Sequence, residues 1–268
     1  MDQRVAQYGW LPDLPDQRDL MYAAPRPVIS KLPTQKDLRS QCPPVYDQAQ
    51  LGSCTANAIG GAFEFELLKQ NPSGNFMPSR LFIYYNEREI EHTVNSDSGA
   101  TIRDGIKTVN KQGVCPESMW PYNLSAFADK PSPSCYADAL HHQVLSYQRI
   151  LRNLNQMKGC LADGYPFVLG FTVYESFESK TVAQTGALNM PKKQEAVVGG
   201  HAVVAVGYND KAKRFIVRNS WGANWGQKGY FTMPYNYLME GNLSDDFWTI
   251  RLVETSSIKK ITGKKKIS

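Results

Sequence analysis

The chain has 268 residues, of which 42% are hydrophobic and 21% are charged, and its formal net charge is +5 at pH 7. This composition can bury a large core, so it excludes an intrinsically disordered protein and favours a compact unit of one large domain or two lobes. No apolar run approaches the roughly 18 residues that a membrane-spanning helix needs, so no membrane span is expected.

Residues 1–34 form a proline-rich beginning that lacks the apolar core of a secretory signal peptide. The sequence therefore indicates an intracellular protein, a processed one, or one exported by a non-classical route, and the compartment stays open. Residues 8–15 read Tyr-Gly-Trp-Leu-Pro-Asp-Leu-Pro, which predicts an extended segment stiffened by proline.

Residues 35–145 are predicted to form a mainly helical lobe. Alanine, phenylalanine and leucine cover most of the surface of residues 54–69, which is typical of a helix buried between lobes, and Ser53 is a suitable N-cap. Two further helices are predicted, around residues 79–91 and over residues 100–112, the second ending at Gly113.

Residues 146–254 are predicted to form a lobe of strands. Residues 201–206 and 214–218 are rich in strand-forming side chains and are separated by a turn composition, so they predict an antiparallel hairpin. Because His201 begins one of these strands and Asn219 follows the other, both residues come to the same end of the hairpin. Further strands are predicted at residues 167–174, 229–233 and 247–253.

Residues 255–268 form a basic tail with five lysines and no acidic residue, so the rest of the chain has a net charge of zero. Such a tail can bind nucleic acid or an anionic membrane surface. The tail has no aromatic residue and no periodicity, so a solvated, disordered end is the better interpretation, and no nucleic-acid partner is expected.

Three residues in order supply the parts of a nucleophilic enzyme: Cys54, His201 and Asn219. A thiol becomes a strong nucleophile by losing a proton, an imidazole titrates near neutrality, and a third polar group must orient the ring. His201 lies roughly 150 residues after the cysteine, which is typical of this type of catalytic pair. Cys54 in the first turn of a helix would meet the positive end of the helix dipole, which favours a thiolate.

These motifs resemble the papain family of cysteine peptidases over roughly residues 35–254. Gln48 resembles the family's oxyanion-hole glutamine, six positions before the nucleophile. Residues 219–230, Asn-Ser-Trp-Gly-Ala-Asn-Trp-Gly-Gln-Lys-Gly-Tyr, resemble the family's Asn-Ser-Trp-Gly-x-x-Trp-Gly-x-x-Gly-Tyr motif. The resemblance implies an α+β fold with a helical lobe, an antiparallel β-barrel-like lobe, and the active cleft between them.

The resemblance further implies a cysteine endopeptidase that acts on polypeptides through an acyl-enzyme, with no metal or other cofactor. Its implied catalytic residues are Cys54, His201, Asn219 and Gln48, and its implied substrate-binding residues are Ser98, Gly99, Gly200 and Trp221. Thr55 departs from the family, whose members usually carry an aromatic residue directly after the nucleophile. Two alternatives stay open: an amidase or transamidase with the same trio, and a non-catalytic binding module on the same fold.

The five cysteines include no pair at metal-ligand spacing, so a metal site has little support. Cys135 resembles a disulfide cysteine of the family whose partner is not apparent in this sequence. A bridge between Cys115 and Cys135 and a set of buried free thiols both remain open.

Members of the family are commonly made as zymogens with a long helical propeptide, and residues 1–34 are too few for that domain. We therefore hypothesise that residues 8–15 cross or border the cleft as a short pro-segment of a monomer. The alternative is that these residues pack on the back of the molecule.

Overall fold

The structure is a computed structural model that describes residues 8–255. Its α-helices are α1 (Arg26–Ile29), α2 (Cys54–Gln70), α3 (Arg80–Ile90), α4 (Ile102–Lys111), α5 (Pro133–Ala139), α6 (Leu154–Ala162), α7 (Lys180–Thr185) and α8 (Tyr235–Met239). Its strands are β1 (Trp10–Leu11), β2 (Gln35–Asp37), β3 (Ala100–Thr101), β4 (Val144–Arg149), β5 (Phe167–Tyr174), β6 (Val197–Asn209), β7 (Arg214–Arg218), β8 (Tyr230–Pro234) and β9 (Ser244–Val253). Apart from Thr255, the predicted basic tail lies outside the described residues.

The predicted helices are confirmed as α2, α3 and α4, and the predicted hairpin is confirmed as the antiparallel pair of β6 and β7. One detail is wrong: β6 begins at Val197, so His201 lies inside the strand and not at its start. The sequence does not indicate that this strand begins before His201, because Gly199 and Gly200 precede it and glycine is unfavourable in strands.

The main sheet has the strand order β4-β9-β5-β6-β7-β8, with β2 also paired to β6, and all of these pairs are antiparallel. Its order begins with β4 and ends with β8, and within residues 8–255 it does not close. The predicted α+β class is therefore present, but the barrel-like part is an open sheet. A separate parallel pair joins β1 to β3.

Helix α2 is the element around which the molecule is packed. Every residue from Cys54 to Leu67 is buried, and α2 contacts β5, β6 and β9 of the sheet as well as α3 and α4. A helix that is apolar on nearly all sides must be covered on all sides, which explains its position between sheet and helices. The predicted N-cap is wrong in its chemistry: the Ser53 hydroxyl bonds to Tyr122 and Asn57 and caps no backbone N–H.

All five cysteines are free thiols in this structure, and four of them are buried. Cys115 and Cys135 come together from different segments, with a hydrogen bond between the two thiols. Among residues 8–255, no helix combines the length and hydropathy required to cross a bilayer.

The end of α4 generates a stability prediction. Gly113 has φ of +78°, and a Cβ atom there would lie 1.7 Å from the carbonyl oxygen of Ala139. Gly164 has φ of +85°, but its Cβ would meet only the flexible Lys69 amine, at 3.8 Å. Gly113→Ala is expected to lower the free energy of unfolding by about 3 kcal/mol, since left-handed strain and a backbone clash act together.

Gly164→Ala is the matched control and is expected to cost only about 1 kcal/mol, from the left-handed conformation alone. Urea denaturation of both variants measures the two losses. Equal losses would contradict the close approach of residue 113 to Ala139.

Candidate active site

The nucleophile and base candidates come from two different parts of the fold. Cys54 is the first residue of α2, and its thiol receives the backbone N–H of Ala202 on β6. His201 precedes that residue on the same strand, so the imidazole lies at the same end of α2 as the sulfur. The pairing of β6 with β7 brings Asn219 to the ring, and its Oδ1 lies 2.8 Å from His201 Nε2.

The hydrogen bond to Asn219 leaves the other ring nitrogen of His201 available. Nδ1 is buried and has no hydrogen-bond partner among residues 8–255. Trp221 lies against the imidazole with ring centroids 5.2 Å apart and a 31° angle between planes. Asn219 and Trp221 together fix the ring orientation and exclude water from one side of it.

Gln48 is joined directly to the segment that carries Asn219. Its Oε1 accepts from the Ser220 hydroxyl at 2.6 Å, and its backbone N–H donates to the Ser220 carbonyl at 2.9 Å. Its Nε2 donates to the Leu51 carbonyl at 3.0 Å, which uses one of its two hydrogens. The second hydrogen is available for an oxyanion, so these bonds pre-orient the amide before a substrate arrives.

Arg80, at the start of α3, holds this loop and was not found by sequence reasoning. Its guanidinium donates to the Asp47 carbonyl at 2.9 Å and to Asn57 Oδ1 at 3.1 Å. It also forms an ion pair with Glu117 at 2.6 Å. One buried cation thus joins the residue before Gln48 to the first turn of α2, and no motif marks this role in the sequence.

Asp97 is a second positioning group that the sequence did not reveal. Its two carboxylate oxygens each lie 3.0 Å from the backbone nitrogen of Gly52, and it also accepts from the Tyr84 hydroxyl. The same hydroxyl receives the backbone N–H of Gly99 at 3.1 Å. Asp97 therefore connects the loop before Cys54 to Gly99, one of the predicted substrate-binding residues.

The side chain of Ser98 stays within its own loop. Its hydroxyl donates to the Gly99 carbonyl and contacts Thr93. Gly99 itself, with φ of +72°, lies against the backbone of Gly9, because a Cβ there would be 2.2 Å from the Gly9 carbonyl oxygen. Gly200 and Trp221 also line the space occupied by residues 8–10, so three of the four predicted substrate-binding residues contact the N-terminal segment.

Thr55 bonds to a fully buried carboxyl group. Its hydroxyl lies 2.5 Å from Glu87 Oε1, and burial raises the pKa of Glu87 well above its ordinary value. Burial therefore shifts the Glu87 carboxyl group towards its neutral form. The residue after the nucleophile thus has a polar partner in the interior where the resemblance expects an aromatic ring.

The N-terminal segment lies over the nucleophile. The Gly9 N–H points at the Cys54 sulfur, and the Gly9 carbonyl accepts from the Ala100 N–H at 2.8 Å. The Tyr8 ring lies 5.8 Å from the His201 ring, and its hydroxyl donates to Glu178. A backbone in direct contact with the sulfur leaves no room for a substrate carbonyl.

Burial under this segment determines the protonation of the pair. It raises the pKa of Cys54 to about 12 and lowers the pKa of His201 to about 4, although the Asn219 hydrogen bond opposes the second shift. The covered site therefore holds a neutral thiol and a neutral imidazole. The sequence predicted a thiolate from the helix dipole, and loss of hydration outweighs that dipole while the segment is in place.

Among residues 8–255, no group of three or more His, Cys, Asp or Glu side chains has the arrangement of a metal site.

Comparisons with known proteins identify relatives of the whole chain. A family described as "Papain family cysteine protease" matches residues 32–246. An "uncharacterized peptidase C1-like protein" of Acanthamoeba polyphaga mimivirus is 44% identical, over 92% of this chain and 87% of the relative. Cysteine proteinase 2 of Entamoeba histolytica is 30% identical over 74% of this chain, which spans 61% of that relative's length.

Solved structures agree with these relatives. Xylellain, a cysteine protease from Xylella fastidiosa, is 45% identical with a TM-score of 0.87, over 94% of this chain and 98% of that one. Digestive procathepsin L 3 of Tenebrio molitor larval midgut has a TM-score of 0.71 at 19% identity, over 91% of this chain and 75% of that one, and shows a shared fold alone. The predicted fold class is confirmed by these likenesses.

The raised pKa of Cys54 predicts how stability depends on pH. The thiol has an ordinary pKa of 9.0 and a pKa of about 12 in the folded chain, so its contribution is complete below pH 9. That contribution is lost as the pH rises towards 12, because the unfolded thiol ionises first. The difference in unfolding free energy between the native chain and Cys54→Ser is expected to fall by up to about 1.4 kcal/mol per pH unit in this window.

Urea denaturation of both proteins at several pH values from 8 to about 10.5, under reducing conditions, measures this difference. The remaining cysteines and tyrosines titrate equally in both proteins and cancel. A difference that stays constant with pH would show that Cys54 ionises normally in the folded chain.

Proposed function

The chain belongs to the papain family of cysteine peptidases, and from this premise we propose that it cleaves polypeptides internally, with Cys54 as nucleophile and His201 as acid and base. The observation that carries the proposal is the placement of the sulfur against the strand that carries His201: Ala202 donates to the sulfur, and His201 is held by Asn219 at 2.8 Å. The remaining nitrogen of His201 is free to exchange a proton with the thiol or with a substrate.

Catalysis begins when the N-terminal segment leaves and water enters the site. Rehydration moves the pKa values of the thiol and the imidazole back towards their ordinary ranges, and the start of α2 then favours a thiolate. The thiolate attacks the peptide carbonyl carbon, and protonated His201 gives its proton to the leaving amine. Neutral His201 next takes a proton from water, which attacks the acyl-enzyme and releases the second product.

The negative oxygen of each tetrahedral intermediate needs donors that are already oriented. The Cys54 backbone N–H and the free hydrogen of Gln48 Nε2 supply them, and Ser220 and Leu51 hold the Gln48 amide in place. One such donor typically lowers the barrier by about 3 to 4 kcal/mol.

We propose that the catalytic groups are divided between two parts of the chain. Residues 35–145 carry the nucleophile and the oxyanion donor, residues 146–254 carry the base and its orienter, and the substrate binds between them. Gly99 and Gly200 let a substrate backbone approach closely, as they now let residues 8–10 approach. Trp221 shields the imidazole, and Ser98 shapes the strip beside Gly99 through bonds within its loop.

Residues 1–34 act as the pro-segment of a zymogen in this proposal. Tyr8 and Trp10 are buried against the site, and the β1–β3 pairing adds a backbone hydrogen bond. Asp13 anchors the far end, because its N–H donates to Asp246 at 2.8 Å and its carboxylate accepts from Trp248 Nε1 at 3.1 Å. The segment blocks the sulfur and keeps the catalytic pair neutral.

The Asp13 carboxyl group makes the stability of the closed form, in which the N-terminal segment covers Cys54, depend on pH. Burial, and then the nearby Asp246, raise the pKa of Asp13 to about 7. A raised carboxyl pKa stabilises the closed form most at acidic pH, and this contribution is lost as the pH rises through about 7. The anchor therefore weakens from acidic to slightly alkaline pH.

Loosening the segment in the full-length chain is expected to raise activity. Replacing both Tyr8 and Trp10 by alanine removes two buried aromatic side chains, so hydrolysis of dipeptidyl-amide fluorogenic substrates should rise at least about tenfold. A chain that begins at Ser30 should show the same gain. Leu14→Ala is the matched control because Leu14 is 84% exposed, and it should leave the rate unchanged.

If neither the double variant nor the shortened chain gains activity, residues 1–34 do not inhibit the site. A gain that is larger at pH 5 than at pH 8, relative to the native chain, is expected because the native segment is held more tightly at pH 5.

The catalytic roles are tested in the Tyr8→Ala/Trp10→Ala background. Gln48→Ala should lower kcat by about 10² to 10³-fold, since one oxyanion donor is lost. Cys54→Ala should abolish both hydrolysis and labelling by a thiol-directed epoxide. Labelling of Cys54 without hydrolysis of the dipeptidyl-amide substrates would instead favour an amidase or transamidase that acts on other compounds, and an open cleft without labelling would favour a binding module.

A further inference from the structure

Trp10 occupies a slot that two glycines create. Its indole is 7% exposed, and a Cβ atom on Gly170 would lie 1.9 Å from its Cε2. A Cβ atom on Gly200 would lie 2.8 Å from its Cε3. Because these glycines stand on the neighbouring strands β5 and β6, any larger residue at either position would fill the slot.

A buried carboxylate forms the floor of this slot. Asp246 on β9 is fully buried, and its Oδ2 accepts from Trp10 Nε1 at 3.1 Å and from the Asp13 N–H at 2.8 Å. Its Oδ1 accepts from Arg149 at 3.1 Å. When the segment leaves, Oδ2 exchanges both donors for water, while Oδ1 keeps its bond to Arg149. A side chain that then fills the slot without offering an N–H displaces this water and leaves a buried oxygen without a donor, which is costly.

The charges around the floor determine which side chain can replace Trp10. Arg149 and Arg103 both pair with Asp19, which belongs to the N-terminal segment and leaves with it. Arg103 also loses Asp13. After the segment has left, the charged groups around the slot are three arginines and two carboxylates: Arg103, Arg149, Arg152, Asp245 and Asp246. A cation in the slot would therefore meet a local excess of positive charge.

We propose that this slot, formed by Gly170, Gly200 and Asp246, is a substrate pocket that selects tryptophan. An indole matches the flat space and offers one neutral N–H to Asp246. Phenylalanine fits the space but leaves the carboxylate oxygen without a donor, and arginine brings a charge beside Arg149. This inference rests on the proposed function, because it assigns one side-chain preference to that cleft.

The pocket lies next to the reacting groups. Gly200 directly precedes His201, and Gly9, whose N–H points at the Cys54 sulfur, directly precedes Trp10. A substrate residue in the slot is therefore close along its chain to the bond that is cleaved. The same geometry makes Asp246 a specificity-determining residue and gives it no part in the bond-breaking steps.

The test uses the full-length Tyr8→Ala/Trp10→Ala chain, in which the internal occupant is absent. Fluorogenic peptides carry Trp, Phe, Leu or Arg at one position at a time, with the other positions constant. At one position, kcat/KM is expected to be roughly tenfold higher for Trp than for Phe, and lower still for Arg. Asp246→Gly in the same chain should bring the Trp-to-Phe ratio to about one.

Glycine is the suitable replacement because Asp246 has φ of +59°, where glycine is unstrained. Asp245→Ala is the matched control: it removes a half-exposed carboxylate from the adjacent residue and should keep the Trp preference. A second measurement needs no substrate. Trp10→Phe in the otherwise native chain should make alkylation of Cys54 about fivefold faster, since only the N–H to Asp246 is lost.

The outcomes separate this inference from the proposed function. Hydrolysis without Trp preference at any position, a preference that survives Asp246→Gly, or an unchanged alkylation rate in Trp10→Phe would each overturn the pocket. Failure to hydrolyse every peptide, together with failure of the epoxide to label Cys54, would overturn the peptidase proposal itself.

Discussion

The exclusion of water from one sulfur atom is the constraint on which the rest of the structure depends. Residues 8–10 lie on Cys54 and His201, and the burial of these two side chains keeps the thiol and the imidazole neutral. A thiolate–imidazolium pair in that dry space would lose hydration that no described side chain replaces. In the proposed function the covered site is inactive for two reasons, because the nucleophile is blocked and because it is protonated.

The glycines around Cys54 and His201 leave space for the N-terminal segment and, in the proposed function, for a substrate. Gly99, Gly199 and Gly200 would each place a Cβ atom within 2.6 Å of residues 8–10. Their absence of side chains lets another backbone lie in contact with β3 and β6. In the proposed function a peptide that displaces the segment enters the same space, so inhibition and substrate binding compete for one set of contacts.

Local patterns made the fold predictable from the sequence, and the structure brings the candidates Cys54, His201 and Asn219 to one place. The apolar run after Cys54 begins α2 at that residue, and the residues 167–174 predicted as a strand are β5 itself. Asp97, Arg80 and Glu87 could not be predicted, because each acts through partners that the fold brings from distant segments. Ser53 illustrates the same limit: its sequence position is that of an N-cap, but tertiary partners take its hydroxyl.

In our proposals Asp246 connects closure by the N-terminal segment to substrate choice, because Trp10 and a substrate side chain would bond to the same carboxylate oxygen. In the closed form it receives donors from Trp10, Asp13 and Arg149, although burial raises its pKa and a second carboxylate, that of Asp13, lies nearby. The closed form is least stable when both carboxylates are ionised, that is, at higher pH. A neutral N–H of a substrate side chain can still donate to Asp246 under that condition. After release of the segment, water reaches this oxygen, and any side chain that enters the slot must replace that water with an N–H. In our proposal this requirement favours either return of Trp10 or binding of a substrate side chain of the same shape and polarity.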